Sequence, residues 1–349
     1  MTETITRGAA NQAGAHINKD AYKEAKDFLP LNGLDYVEFW VGNARQAAQY
    51  FRALWGFTPV AYAGLETGVR DRTSYVLKQN DITLVVTGAL GPDSEIAEHV
   101  QRHGDGVHDI AFSVDDVKSA WRETTTRGAE SYLEYAEAGT DEDGVLRRSA
   151  VHTYGEVIHS FIDRREYHGA FAPGFRKIKK PARSATGMNL LEIDHCVGNV
   201  WLGDMNKYVD FYRDAFGFAP PADEFGWRDS ALMDRGIDTP GSAARGLMLR
   251  AGNTYLEMFD YASPPPRAGG AARPHDHGYT HFGIEVTDIA GEMKRLAALG
   301  MTFPEPEPID LGDVKFIYGK DPDGNIIELL EMAKGHVHEM ARLDVTLPG

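Results

Sequence analysis

The sequence predicts an α+β fold of four βαβββ modules, two to a domain, on three observations. Stretches of alternating apolar and polar residues, such as Gly33 to Val41 and Leu191 to Val197, mark half-buried strands whose side chains point to opposite faces in turn. Amphipathic segments between such stretches end at glycine, where a helix can close. The same order then recurs in the letters themselves. His108-Asp109-Ile110-Ala111-Phe112-Ser113-Val114-Asp115-Asp116 aligns with Thr280-His281-Phe282-Gly283-Ile284-Glu285-Val286-Thr287-Asp288.

In chain order, residues 1–30 read as a polar arm with a short helix near Ala21 to Phe28. The first module opens with the strand Gly33 to Val41, turns at Gly42-Asn43 into a helix from Ala44 to Trp55, and stops at Gly56. Strands follow around Ser74 to Leu77 and Ile82 to Thr87. Further modules begin near residues 106, 191 and 278. Asp35-Tyr36 with Gly42-Asn43 aligns with Asp194-His195 and Gly198-Asn199. The helices that follow close on Gly56-Phe57 and Gly217-Phe218, and those of the other two modules on Gly128 and Gly300. The basic, proline-bearing stretch Arg176 to Ser184 separates a structural domain, residues 31–180, from a metal-binding domain, residues 185–335. Residues 336–349 form a tail, and the Pro/Gly/Ala-rich loop Ser263 to Arg273 links the last two modules.

Composition narrows the function. At 349 residues the chain is long enough for two cores. Its 42% apolar and 25% charged residues are those of an ordinary soluble protein. A net charge of -16 argues against nucleic acid or an anionic membrane as partner, since both reward basic patches. One cysteine, Cys196, excludes an internal disulfide and suits a reducing cytoplasm. No apolar run approaches the roughly 20 residues of a spanning helix, and no export signal precedes the first module. A cytoplasmic location is expected, and homo-oligomerisation stays open.

The chemistry gathers in the second half. His195 lies on the strand Leu191 to Val197, on the face of Ile193 and Val197. His281 and Glu328 occupy matching strands in the next module. A lone strand histidine is ordinarily a hydrogen-bonded core residue. Glu328 says more: between Ile326 and Leu330, an unpaired carboxylate would cost roughly several kcal/mol of desolvation. Two histidines and one carboxylate are the ligand set of open-sided mononuclear iron sites, so His195, His281 and Glu328 are expected to share one metal. The equivalent positions in the first half, Tyr36, Val85, Asp109 and His159, form no such set. Asp194 is expected to point to the opposite face, His275 and His277 to be solvated, and Cys196 to be a small buried side chain. Glu257, between Tyr255 and Phe259, decides the reaction. On the metal, it makes a fourth ligand and leaves two cis positions, which suits isomerase or lyase chemistry with Mg, Mn, Co, Ni or Zn. Off the metal, it leaves three positions, enough for a chelating 2-oxo acid and dioxygen. A protein that sequesters a small ligand without metal is a third reading, and the clustered ligands disfavour it.

The modular plan resembles the vicinal oxygen chelate superfamily, which implies a curved open mixed sheet around a cavity in each domain. Residues from about 30 to 218 resemble the 4-hydroxyphenylpyruvate dioxygenase family. The matching stretches are Asp35-Tyr36-Val37-Glu38-Phe39 with Val41-Gly42-Asn43-Ala44, His103-Gly104-Asp105-Gly106-Val107, Thr153-Tyr154-Gly155 with His159-Ser160-Phe161, Pro173-Gly174-Phe175, and Ile193 to Val200. The resemblance implies Fe(II) on His195, His281 and Glu328, and oxidative decarboxylation of an aromatic 2-oxo acid with dioxygen, as in tyrosine catabolism. It also implies a substrate contact at Ser230. Beyond residue 218 the chain is similar to glyoxalase and methylmalonyl-CoA epimerase modules, notably at Leu249 to Glu257 and Asp321 to Leu329. Thr280 stands where the dioxygenases have a glutamine. Their long insertion between the second and third ligands has no counterpart, and their C-terminal gating helix is reduced to about Ala333 to Leu343.

Overall fold

The computed structural model describes residues 27–140, 142–179, 190–218, 225–228, 239, 241–252, 254–267, 273, 275–322 and 324–333. The expected helix near Ala21 to Phe28, Ser230, the reduced gating helix beyond Ala333 and the tail fall wholly or mostly outside them.

Each module is a strand, a helix and three strands. The first runs β1 (Leu31–Trp40), α1 (Ala44–Ala53), β2 (Thr58–Ala63), β3 (Arg72–Gln79) and β4 (Ile82–Ala89). A further helix, α2 (Glu95–His103), leads into the second module: β5 (Gly106–Val114), α3 (Val117–Thr126), β6 (Ser131–Thr140), β7 (Gly144–His152) and β8 (Ile158–Tyr167). A short β9 (Arg176–Lys177) follows. The third module comprises β10 (Leu190–Val200), α4 (Met205–Phe211), β11 (Phe225–Arg228), β12 (Ala243–Ala251) and β13 (Thr254–Ser263). The fourth comprises β14 (Gly278–Val286), α5 (Ile289–Ala298), β15 (Ile309–Asp310), β16 (Val314–Lys320) and β17 (Ile326–Met332).

The modules pair into two mixed sheets of the same plan, ordered β6-β7-β8-β5-β1-β4-β3-β2-β9 and β11-β12-β13-β10-β14-β17-β16-β15. Within every module the first and last strands are parallel, and the two first strands of each pair run antiparallel at the sheet centre. The repeat in the letters is thus a repeat in topology. Its helix starts are set by the same chemistry: Asn43 caps α1, and Asp116 and Asp288 cap α3 and α5, each accepting the N–H three residues on. Gly128 and Gly300, at φ +110° and +99°, supply the left-handed turns that end the helices.

The structure adds elements the alternation did not mark, β2 and α2. It also places the start of the expected inter-domain stretch in the first sheet, where Lys177 of β9 pairs with Ala61 of β2. One main core runs through both sheets, from Leu29 and Val37 to Val286 and Leu329. Phe39 meets Phe282 edge-on at 5.8 Å between ring centroids, and Tyr50 donates to Asp321 at 2.6 Å.

Candidate metal centre

Four central strands of the second sheet each turn one polar side chain inward: His195 from β10, Glu257 from β13, His281 from β14 and Glu328 from β17. The register makes them neighbours, since Val197 lies opposite both Glu257 and His281 while Gly283 lies opposite Glu328. All four are buried. Ligand atoms of His195, Glu257 and Glu328 lie within 4.8 Å of one another. His195 Nε2 stands 2.9 Å from Glu328 Oε2 and 3.6 Å from Glu257 Oε2, and His281 Nε2 stands 3.8 Å from Glu328 Oε2.

Both imidazoles are held from behind. Asp194 Oδ2 is 2.8 Å from His195 Nδ1, and Thr280 Oγ1 is 3.0 Å from His281 Nδ1, so each Nε2 is left toward the carboxylates. Such a partner on the far nitrogen is what fixes the tautomer of a metal-binding histidine. His281 Nε2 has no hydrogen-bond partner although it is buried, an orphaned acceptor that a cation would satisfy. Gly283 completes the cradle, because a methyl group there would overlap the His195 ring. The donors fit a divalent metal of the iron or zinc kind. Burial and the neighbouring His195 hold the His281 imidazole down to about 3, in the neutral form that ligates. Burial also opposes charge on His195, but Glu328 and Asp194 override it and keep that imidazole well above its ordinary pKa. A metal would take the place of the proton they share.

Several expectations need correction. Asp194 does not turn away from the site, and Ile193 does not pack with Val197. The register slips between Ile193 and His195, so Ile193 joins the main core with Cys196 while Val197 packs with Phe259 and Tyr261. His275 and His277 are not solvated loop residues. His275 is buried, and His277 stacks on Trp201 at 4.7 Å. The counterpart of Glu328 in the first sheet is Ser160, not His159, because Asp109 pairs with Ile158 and Phe112 with Phe161, which sets Ser160 beside Ala111. A one-residue step along a strand changes the face. Ser160 and Tyr36 both donate to Asp109, at 2.6 and 2.8 Å, a satisfied network with no metal set. Burial raises the Asp109 carboxyl to about 7. His159 faces the other sheet instead, bonded to the Ile110 carbonyl and the Tyr212 hydroxyl.

Sequence reasoning also missed the aromatic wall. Tyr318 lies opposite Glu328 across β16 and β17, with its ring 5.4 Å from that of His281. Phe259 and Tyr261 pack with Tyr318 and Val197 in one cluster. The alternation of Phe316, Tyr318 and Lys320 on a strand facing Glu328 was the available signal.

Paired βαβββ modules whose central strands converge on imidazoles and carboxylates define a metalloenzyme superfamily, and residues 192–329 match the Glyoxalase/Bleomycin resistance protein/Dioxygenase superfamily. Residues 26–173 match the N-terminal part of hydroxyphenylpyruvate dioxygenase. The chain is 32% identical over 308 residues to 4-hydroxyphenylpyruvate dioxygenase of Aspergillus fumigatus, covering 81% of this chain and 74% of the relative. It is 42% identical over 287 residues to that of Dictyostelium discoideum, covering 78% and 75%. The chain belongs to the 4-hydroxyphenylpyruvate dioxygenase family. In fold it is similar to a mutant of 4-hydroxymandelate synthase from Streptomyces coelicolor, with TM-score 0.68, 22% identity, and 90% and 97% of the two chains covered. It is also similar to the Mn(II)-bound glyoxalase from Novosphingobium aromaticivorans, with TM-score 0.54, 14% identity, and 87% and 83% covered. No helix among the described residues is long and apolar enough to cross a membrane.

Proposed function

We propose that the chain is a non-haem iron(II) dioxygenase that oxidatively decarboxylates an aromatic 2-oxo acid of the 4-hydroxyphenylpyruvate type. His195, His281 and Glu328 hold the metal, and the domain of residues 185–335 is the catalytic one. The observation that carries this reading is the buried, unpartnered His281 Nε2 beside the Glu328 carboxylate that His195 already reaches. The relatives named 4-hydroxyphenylpyruvate dioxygenase supply the substrate class. Iron(II) held by these three residues would supply a common binding point for the 2-oxo acid and dioxygen and polarisation of the keto group. The chain's own part is positional. Asp194 and Thr280 fix the two imidazoles, Glu328 would offset the metal's charge, and Tyr318, Phe259 and Tyr261 pack as an aromatic wall beside the site. Ser230, outside the described residues, is the proposed substrate contact. The test is oxygen uptake by the iron-loaded protein on 4-hydroxyphenylpyruvate: uptake that saturates with substrate is expected, and none with iron bound would sink the reading.

Glu257 favours a second reading, because its carboxylate stands 3.6 Å from His195 Nε2. As a fourth ligand it leaves two cis positions, suited to an isomerase or lyase using Mg, Mn, Co, Ni or Zn, in which a carboxylate moves a proton beside a polarised carbonyl. Glu257→Ala discriminates. Metal is lost in the four-ligand reading, and metal and oxygen uptake persist in the first.

A further inference from the structure

The His103-Gly104-Asp105-Gly106-Val107 motif plays no part in the centre described above, and it ends a helix carrying a second cluster of donors. We propose that α2 and the Tyr154 to Val157 turn build another metal site, for a zinc-type divalent cation, from His99, His103 and Glu156. One ligand atom from each lies within 4.8 Å of the others. The spacing of four residues puts both imidazoles on one face of α2. Two imidazole nitrogens and a carboxylate oxygen, with water in the fourth place, form the set that tetrahedral zinc takes. Magnesium and calcium prefer all-oxygen surroundings.

Independent features of the structure point the same way. His99 is 4% exposed, and its Nε2 is buried without a hydrogen-bond partner, a condition that native structures seldom leave unexplained. Glu156 offers one oxygen to His103 Nε2 at 3.0 Å and the other to Arg102 at 2.6 Å. Arg102 therefore anchors the far oxygen and orients the near one, much as an outer partner orients a ligating carboxylate. A cation would sit where His103 and Glu156 now share a proton. Glu156 is held at φ +61°, in the left-handed region that a non-glycine residue seldom adopts. His103 also lies in the last turn of α2, where the helix dipole favours positive charge. The cluster is separate from the strand positions around Asp109, where Tyr36 and Ser160 already bond the carboxylate. A bound cation would tie α2 to the turn that leads into β8.

The test is a zinc titration of the full chain after chelator treatment, read as equivalents bound, with Co(II) absorption reporting tetrahedral geometry. His103 and Glu156 are partly exposed, so His103→Ala and Glu156→Gln should fold, which circular dichroism checks. Each is expected to remove one equivalent and the tetrahedral cobalt bands, in the native background and in His195→Ala alike. Oxygen uptake on 4-hydroxyphenylpyruvate should be unchanged in both variants, which keeps this site distinct from the one at His195. Retention of every bound equivalent in both variants, or no zinc bound by the His195→Ala chain, overturns the proposal.

Discussion

His195 receives Asp194 at 2.8 Å on one nitrogen and Glu328 at 2.9 Å on the other, so its orientation is fixed before any metal arrives. If Asp194 acts by fixing that ring, Asp194→Asn should weaken metal affinity by about 10- to 100-fold, the usual loss when an outer partner of a ligating histidine is removed. A competitive metal titration reads this directly, and an unchanged affinity would show that the contact is incidental. His159 makes a different residue-scale prediction. Burial holds its imidazole at about 4, below the ordinary 6.5, so the native chain refuses a proton that the unfolded chain accepts. The stabilisation it contributes is complete above pH 6.5 and is lost as pH falls toward 4, by about 3 kcal/mol at most. Denaturant unfolding across that window should show a shallower slope in His159→Gln than in the native chain.

At the scale of elements, strands were legible because alternation reports burial directly. Asp116 and Asp288 stand at the same place in an aligned repeat, and the structure shows that both are helix caps. Each accepts a backbone N–H at 2.9 Å, so Asp116→Ala and Asp288→Ala should each cost about 1 kcal/mol, and the double variant should show their sum. Chemical denaturation checks both. Glu331 also accepts from the first N–H of α5, so a clearly smaller loss at Asp288 would mean that this second carboxylate stands in. Helix α2 was not legible by repetition, since it has no counterpart among the described residues of the second half. Its own start signal was present, with Ser94 accepting from Ala97 and Glu95 and Glu98 in the first turn. Strand β2 escaped because Thr58-Pro59-Val60 carries proline, which ordinarily demotes a strand; at this position it pairs Leu77.

At the scale of the molecule, the two sheets share a core rather than merely touching. Phe39 packs on Phe282, Phe112 on Phe218 and His159 on Tyr212. Asn80 donates to the Leu190 carbonyl at 2.6 Å, and Arg295 donates to that of Leu54 at 2.9 Å. Cutting the chain between the sheets would expose this apolar surface on both pieces. Calorimetry of the full chain should therefore give one unfolding transition, and residues 190–349 alone should show none of comparable sharpness, with strong binding of a hydrophobic dye. Two resolved transitions in the full chain would refute the shared core.

The sequence by itself determined the module plan and singled out the imidazoles and carboxylate that the second sheet brings together. Periodicity, helix-closing glycines and repeated letters are local properties, and a buried carboxylate among aliphatic residues is conspicuous wherever it stands. Tertiary structure alone decided which groups meet. It brought Asp194 back onto His195 through a slip in strand register, set Tyr318 against Glu328, moved the counterpart of Glu328 from His159 to Ser160, and gathered His99, His103 and Glu156. Each of these depends on a registry or a loop approach between segments far apart in the chain, and a shift of one residue reverses the face a side chain presents.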